Sequence, residues 1–281
     1  MKLCVYTGNL SRWGEERYRM LKGLGYDCVD FGMSDTEAEP YTLDENAFIE
    51  YLQEERKLIE AAGMEVFQVH GPWRWPPEDS TPENRAERME KMRRSIQAAA
   101  LLGCKNWVVH PIMPFGTEDI DLGKEQETWD LNLDFMKELL ITAKEYDVTI
   151  CFENMPMRKF SLAKPADILR FVKTINDDNF KICLDTGHVA IFKDLSLADA
   201  VRELGDEIRT LHIHDNDGRY DLHRMPYDGI LDWTSFGKAL KEIQYKGAFS
   251  LETAPSKNMP KEAAEMLYET MVVIAKEIIG E

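Results

Sequence analysis

The feature of this sequence that most constrains its fold is a strict alternation of short apolar segments with longer amphipathic ones. The short segments are rich in β-branched and aromatic residues. Several are almost continuously apolar, as in parallel strands that are covered on both faces. The pattern predicts strands at residues 2–8, 28–33, 65–71, 106–111, 149–154, 181–187, 208–214 and 248–253.

Helices are expected after each of these strands. Apolar residues recur at helical spacing in them, and two carry start signals, Thr81 before Pro82 and Ser196 three residues before Asp199. The predicted helices lie near residues 14–25, 44–62, 80–102, 123–146, 165–176, 196–204, 233–243 and 260–279. Eight strand–helix pairs predict an α/β fold, a closed (β/α)8 TIM barrel, as one domain over residues 1–281.

Length and charge narrow the choice of function. The chain has 281 residues, and a barrel of this class needs about 250. Its net charge of −17 produces an acidic field that repels polyanions and anionic membranes, so neither nucleic acid nor a membrane is an expected partner. No apolar stretch approaches the roughly 20 residues that span a bilayer. The first residues run straight into a predicted strand without a secretory signal, which predicts a cytoplasmic protein.

The five cysteines are an odd number and show no paired spacing. Each lies in or beside an apolar strand-like segment, where cysteine usually behaves as a small hydrophobic residue. We therefore expect buried, reduced thiols at Cys4, Cys28, Cys104, Cys151 and Cys183.

Imidazoles and carboxylates are expected at the carboxyl ends of six consecutive strands. In this barrel class the carboxyl ends and the loops after them build the active site, so these side chains should converge on one mouth. Along the chain they are His70, His110, Glu153, Asp185, His212 and Glu252. Carboxylates cannot cluster in this way without a large cost in desolvation and repulsion, which a cation removes. Their mixed oxygen and nitrogen donors suit one divalent ion, Mn, Mg, Co, Fe or Zn.

The remaining histidines lie near the same strand ends. His188 follows Asp185 by three residues, and none of the six histidines falls on a predicted helix. His214 is expected to face away from His212 and to pack behind the barrel wall. Trp73 and Trp75 either cap a ligand pocket or pack their own loop.

Five motifs are similar to those of a known protein family, and the similarity extends over essentially the whole chain. The motifs are ENMP (153–156), CLDTGH (183–188), HIHDNDGRYDLH (212–223), YDGILDW (227–233) and LET (251–253). With them the chain resembles the xylose isomerase-like sugar phosphate isomerases and epimerases, which share a barrel with the type IV apurinic endonucleases. In the ketose 3-epimerase branch a Glu, an Asp, a His and a second Glu hold the metal ion. The histidine ligand of that branch stands three residues before an acidic residue. The matching acidic residue in this chain is Asp215. The resemblance therefore implies the metal ligands Glu153, Asp185, His212 and Glu252.

The endonuclease branch is the main alternative, because its nine ligands for three zinc ions all have equivalents here: His70, His110, Glu153, Asp185, His188, His212, Asp221, His223 and Glu252. Three departures disfavour it. The chain has ENMPMRK where that branch has a threonine-alanine-glycine run, LDTGH replaces its usual cysteine before the histidine, and the charge of −17 opposes DNA.

The expected activity is a metal-dependent isomerase or epimerase that acts on a small sugar, sugar phosphate or polyol through an enediolate. Glu153 and Glu252 are the expected catalytic acid and base. The resemblance suggests a substrate-hydroxyl contact for His188, and the same role is expected of His70, His110, Asp221 and His223. A lyase that dehydrates an inosose or a similar ketone would use related chemistry and stays open, as does assembly into a homo-oligomer.

Overall fold

A computed structural model of the protein describes residues 1–117 and 120–280. Eight strands follow one another along the chain, each at a place where the apolar pattern predicts one. They are β1 (Leu3–Tyr6), β2 (Cys28–Gly32), β3 (Glu65–His70), β4 (Asn106–Val109), β5 (Thr149–Glu153), β6 (Phe180–Asp185), β7 (Ile208–His212) and β8 (Phe249–Leu251).

Each of the eight predicted helices is also present. Two short helices, α2 and α7, are additional, and short 3-10 turns lie at Ser11–Glu16 and Gly205–Glu207. The α-helices are α1 (Arg17–Leu24), α2 (Glu39–Thr42), α3 (Glu45–Ala61), α4 (Pro82–Leu101), α5 (Glu125–Glu145), α6 (Pro165–Ile175), α7 (Thr186–Ala190), α8 (Leu197–Leu204), α9 (Trp233–Glu242) and α10 (Lys261–Ile279).

The strands form one parallel sheet that curls into a nearly closed barrel. Neighbours follow the order β7-β6-β5-β4-β3-β2-β1-β8. The remaining gap, between β7 and β8, is bridged by Ile213 and Leu251. Here Ile213 N–H donates to Ser250 O at 2.8 Å, and Glu252 N–H donates to Ile213 O at 3.0 Å. The prediction of a single-domain (β/α)8 barrel is therefore confirmed.

The apolar core lies between the strands and the helices around them. The ring of Phe152 on β5, for example, lies 4.8 Å from that of Phe171 on α6, and both are fully buried. The five cysteines are free and buried as expected. In the described part of the chain, no helix combines the length and the apolar character needed to cross a membrane.

Side-chain caps set several helix starts. Thr81 Oγ1 accepts from Asn84 N, with Pro82 in the first helical position, and Ser196 Oγ accepts from Asp199 N, as predicted. Several strands end earlier than predicted: β1 at Tyr6, β4 at Val109, β7 at His212 and β8 at Leu251, each two residues before its expected end. Strand β6 ends at Asp185 rather than at residue 187, because the Asp185 carboxylate accepts from His188 N at 2.7 Å and begins α7. His188 therefore lies on a helix.

Candidate active site

Four predicted ligands converge at the carboxyl end of the barrel. Each offers one carboxylate oxygen or imidazole nitrogen, and the four atoms lie within 4.8 Å of one another. Three of the side chains are fully buried, and Glu252 is nearly so. We refer to these residues as the strand-end cluster: Glu153, Asp185, His212 and Glu252.

Sheet register explains this convergence. Glu153, Asp185 and His212 are the last residues of β5, β6 and β7, which are neighbours in the barrel. Asp185 pairs directly with His212. Glu252 follows β8 and is held by the bridge that closes the barrel. Because parallel strands end at the same edge, four residues far apart in sequence meet at one point.

His212 lies at the centre of the strand-end cluster. Its Nδ1 is 3.0 Å from Glu153 Oε1 and 3.4 Å from Glu252 Oε2. The other Glu153 oxygen, Oε2, is buried without a hydrogen-bond partner, although His110 Nε2 lies 3.2 Å away. That contact is electrostatic rather than a well-aligned hydrogen bond, so this carboxylate oxygen has no aligned donor.

The two glutamates differ in proton affinity. Burial raises the pKa of Glu252 to about 8. Burial also disfavours ionisation of Glu153, but the imidazoles of His212 and His110 outweigh it and hold the pKa of this carboxyl well below its usual range. Two carboxyls with separated proton affinities are what an acid–base pair requires.

Aromatic rings form one wall beside this cluster. The His70 ring stacks on His212 with centroids 5.2 Å apart, and it also lies 5.1 Å from His110. Burial, followed by the neighbouring His110 and His212, lowers the pKa of His70 to about 4. Trp73 packs on His110 at 4.5 Å, while Trp75 is largely exposed beside it. Trp73 thus borders the site.

A second group of side chains lies next to the first, around the carboxylate of Asp221. Nε2 of His188 is 3.3 Å and Nε2 of His223 is 3.4 Å from Oδ2, and Nε2 of His214 is 3.7 Å from Oδ1. His214 Nε2 also lies 2.9 Å from Asp185 Oδ2, which joins the two groups. We call the residues around Asp221 the loop cluster: His188, His214, Asp221 and His223.

Backbone carbonyls orient two of these imidazoles. His188 Nδ1 donates to Asn154 O at 2.6 Å, and His223 Nδ1 donates to Glu252 O at 2.9 Å. Nε2 of each ring faces the carboxylate of Asp221, which can only accept a hydrogen bond. Burial lowers the pKa of both, but nearby carboxylates outweigh it and raise each pKa to about 10.

His214 corrects an expectation. It does not pack behind the barrel wall, since its ring contacts Asp185 and stacks on His223 with centroids 4.1 Å apart. Residues two apart in an extended segment share a face, so the reasoning that separated His214 from His212 was wrong. The spacing HIH should have placed both imidazoles at the mouth.

Asp215 holds the loop that carries Asp221 and His223. Its backbone pairs with Arg224, its Oδ1 accepts from Ile230 N at 3.0 Å, and its Oδ2 accepts from Trp233 Nε1 at 2.8 Å. A Cβ at Gly229 would lie 2.2 Å from Asp215 Oδ1. The YDGILDW motif thus supplies the hydrogen-bond donors for the Asp215 carboxylate.

One buried acid at the mouth was missed from the sequence. Asp30, on β2, is fully buried and its Oδ2 lies 3.0 Å from His212 Nε2. The only signal was an acidic residue inside the apolar strand CVDFG, a pattern that indicates a paired carboxylate.

The strand-end cluster fits a divalent cation. It places three carboxylates and an imidazole around one point, and a buried Glu153 oxygen lacks a partner there. Such a set of oxygen and nitrogen donors suits Mn²⁺, Mg²⁺, Co²⁺, Fe²⁺ or Zn²⁺.

Comparison with known proteins gives a consistent family. The family model described as xylose isomerase-like TIM barrel matches residues 18–270. The chain is 33% identical over 118 residues to a D-psicose 3-epimerase of Enterocloster bolteae, covering 42% of this chain and 37% of that protein. It is 24% identical to an L-ribulose-5-phosphate 3-epimerase of Salmonella paratyphi C, over 84% of this chain and 81% of that one.

Solved structures agree. The crystal structure of a D-tagatose 3-epimerase-like protein superposes with a TM-score of 0.77 at 26% identity, covering 100% of this chain and 98% of that one.

Proposed function

This chain belongs to the xylose isomerase-like TIM barrel family, and from that premise we propose that it is a metal-dependent isomerase or epimerase of a small sugar. The observation that carries the proposal is the convergence of four ligand atoms, from Glu153, Asp185, His212 and Glu252, within 4.8 Å of one another. The relatives named as epimerases of psicose and of ribulose 5-phosphate support the reaction class.

The strand-end cluster would hold one divalent ion. When bound, that ion supplies Lewis acidity, which polarises a substrate carbonyl and lowers the energy of the enediolate formed after proton loss. Three of the four ligand side chains are fully buried, so the surrounding protein would shield the ion from bulk water. Electrostatic interactions are stronger in such a dry site than in solution.

Glu153 and Glu252 would exchange protons with the substrate. They come from β5 and β8, which are not neighbours in the barrel, so they approach a bound sugar from different sides. A carboxylate that contacts a cation through one oxygen keeps the second free for proton transfer. One glutamate removes the proton next to the carbonyl, and the other returns one.

The histidine rings around the strand-end cluster would orient the sugar. His70 lies 3.8 Å from Glu252, and His110 and His188 lie 3.2 Å and 3.7 Å from Glu153, where their nitrogens would bond to hydroxyls. Asp221 and His223 lie farther toward solvent, with side chains 28% and 41% exposed, and would contact the distal part of a sugar or polyol.

The Glu252→Gln variant tests the proposal. The purified protein is incubated with D-psicose, D-tagatose, D-fructose or L-ribulose 5-phosphate in heavy water, and deuterium at the carbon next to the carbonyl is followed by NMR. Wild type should exchange this proton and the variant should not, because the amide cannot accept a proton. Glu262→Gln, a change on the exposed start of α10, is the matched control. Full exchange by Glu252→Gln would remove this residue from the mechanism.

The loop cluster favours a second candidate, a multinuclear zinc phosphodiesterase. Three imidazole nitrogens within 3.7 Å of Asp221 are an arrangement that also suits zinc. About three zinc ions per chain together with cleavage of an abasic DNA duplex would support it. One metal ion and no cleavage would eliminate it. The NMR spectra of the sugar assay also distinguish a dehydrating lyase from the isomerase and from the phosphodiesterase, because only the lyase would form a dehydrated product.

A further inference from the structure

Asp30 occupies a place that the proposed reaction does not use. Its side chain is fully buried on β2, and it reaches His212 from the side away from the strand-end cluster. Oδ2 lies 3.0 Å from His212 Nε2 and accepts from Gln68 Nε2 at 2.9 Å. Its other oxygen, Oδ1, is buried and has no hydrogen-bond partner.

The two nitrogens of His212 therefore face different neighbours. Nε2 faces Asp30, while Nδ1 faces Glu153 Oε1 at 3.0 Å and Glu252 Oε2 at 3.4 Å. Both nitrogens thus face carboxylates, which only accept hydrogen bonds. A cation in the strand-end cluster would replace the hydrogen on Nδ1, whereas Asp30 would retain the hydrogen on Nε2. The nitrogen available for a cation is then Nδ1, which already points into the strand-end cluster.

Gln68 holds Asp30 in this position. Asp30 and Gln68 are paired residues on β2 and β3, and the Gln68 amide also reaches Leu211 O at 3.4 Å, one residue before His212. The amide thus ties Asp30 to the end of β7. This arrangement leaves Asp30 little freedom to turn away from the imidazole.

We propose that Asp30 is a positioning residue for the metal site: it fixes the tautomer and the ring plane of His212 and strengthens Nδ1 as a ligand. A ligating histidine whose other nitrogen donates to a carboxylate is more basic and better oriented than a free one. The inference rests on the proposed function, since it assumes that His212 binds a metal ion.

Metal affinity tests the inference without any need for a substrate. Asp30→Asn keeps an acceptor oxygen but removes the charge, and Asp30→Leu removes both while keeping a side chain that branches at Cγ. Binding of Mn²⁺ and Zn²⁺ to the purified chain is measured by competition with a chromophoric chelator. We expect affinity to fall about 10-fold in Asp30→Asn and about 100-fold in Asp30→Leu, the usual range for such partners.

Asp79→Asn is the matched control. Asp79 is also a buried carboxylate, but it contacts Arg88 and Met113 N rather than a proposed ligand. Its loss should reduce stability without changing metal affinity.

A spectrum separates positioning from a merely structural role. With ¹⁵N-labelled histidine, a long-range ¹H–¹⁵N correlation shows which His212 nitrogen carries the hydrogen, and His212→Gln identifies its signals among the six histidines. Wild type with bound metal should carry it on Nε2, and Asp30→Asn should show a changed Nε2 shift.

The outcomes distinguish the two proposals. If folded Asp30 variants bind metal as tightly as wild type with an unchanged His212 spectrum, this inference is overturned while the proposed function stands. If the wild-type protein itself binds no divalent ion, the proposed function is contradicted, and the inference that rests on it is contradicted as well. Should Asp30→Leu fail to fold, Asp30→Asn alone decides.

Discussion

The two clusters at the mouth are built in different ways. The strand-end cluster lies on the strands of the barrel. Three of its members are the last residues of β5, β6 and β7, and Glu252 directly follows β8. The loop cluster depends on the short helix α7 and on the segment after β7, where His223 has a positive φ of 45°. The first is buried, whereas Asp221 and His223 of the second remain partly exposed.

Under the proposed function the two clusters would have separate tasks. Backbone hydrogen bonds to the neighbouring strands hold the residues of the strand-end cluster in fixed positions. A cation site for catalysis needs such preorganised ligands. Loops on a rigid scaffold carry binding residues and vary more easily. We therefore expect losses in the strand-end cluster to abolish the reaction, and losses in the loop cluster to change its efficiency.

Metal removal should produce the largest effect. Dialysis against a chelator is expected to leave below about 1% of the activity, because the Lewis acid is lost, and Mn²⁺ or Co²⁺ should restore it. The melting temperature should rise on metal addition, since a ligand at about 100 times its Kd stabilises the fold by about 2.7 kcal/mol. Full activity in chelator would contradict the role of the strand-end cluster.

Glu153→Gln should come next, with a fall in kcat of about 10³-fold or more, since it removes both a ligand charge and a proton-transfer group. The contacts with His212 and His110 lie within 3.2 Å, so a neutral amide also weakens the orientation of both rings. Circular dichroism checks the fold. A decrease of less than 10-fold would place the chemistry elsewhere.

Asp221→Asn should have an intermediate effect, a decrease in kcat/KM of about 10- to 100-fold, typical for a partner beyond the metal ligands. Metal affinity of the strand-end cluster should stay within about 3-fold of wild type. Asp217→Asn is the control, since this half-buried neighbour accepts from Arg219 N and Tyr220 N through Oδ1 and the amide oxygen can still accept. Complete inactivity with loss of a zinc ion would instead favour the multinuclear phosphodiesterase.

Gly187→Ala should give the smallest change and acts on the strand-end cluster only through the contact of His214 with Asp185. A Cβ at this position would lie 2.0 Å from His214 Cε1, so the ring must move. We expect a decrease in kcat/KM of a few-fold and a destabilisation of about 1–3 kcal/mol, the usual cost of overpacking. Gly23→Ala, where no atom lies within 4 Å, should be neutral. Equal behaviour of the two variants would show that the His214 position is unimportant.

Much of this site could be predicted before the structure. Residues such as Glu153 and Asp185 stand at strand ends, and parallel strands bring their carboxyl ends together whatever the loops do. What could not be predicted depends on local backbone geometry. The capping hydrogen bond that His188 N donates to the Asp185 carboxylate ends β6 two residues early, and apolar periodicity contains no information on that bond.

By itself the sequence determined the barrel, its order of strands and helices, and six strand ends that carry an imidazole or a carboxylate, because periodicity and strand ends are local properties of the chain. The family resemblance then singled out four of these six as expected ligands. Only the tertiary structure decided that His214 joins Asp185, that Asp215 organises the loop around Asp221, and that Asp30 supports His212. These contacts join residues up to 182 positions apart. Their partners are selected by the closed barrel, since no local pattern encodes which strand ends face one another across its mouth.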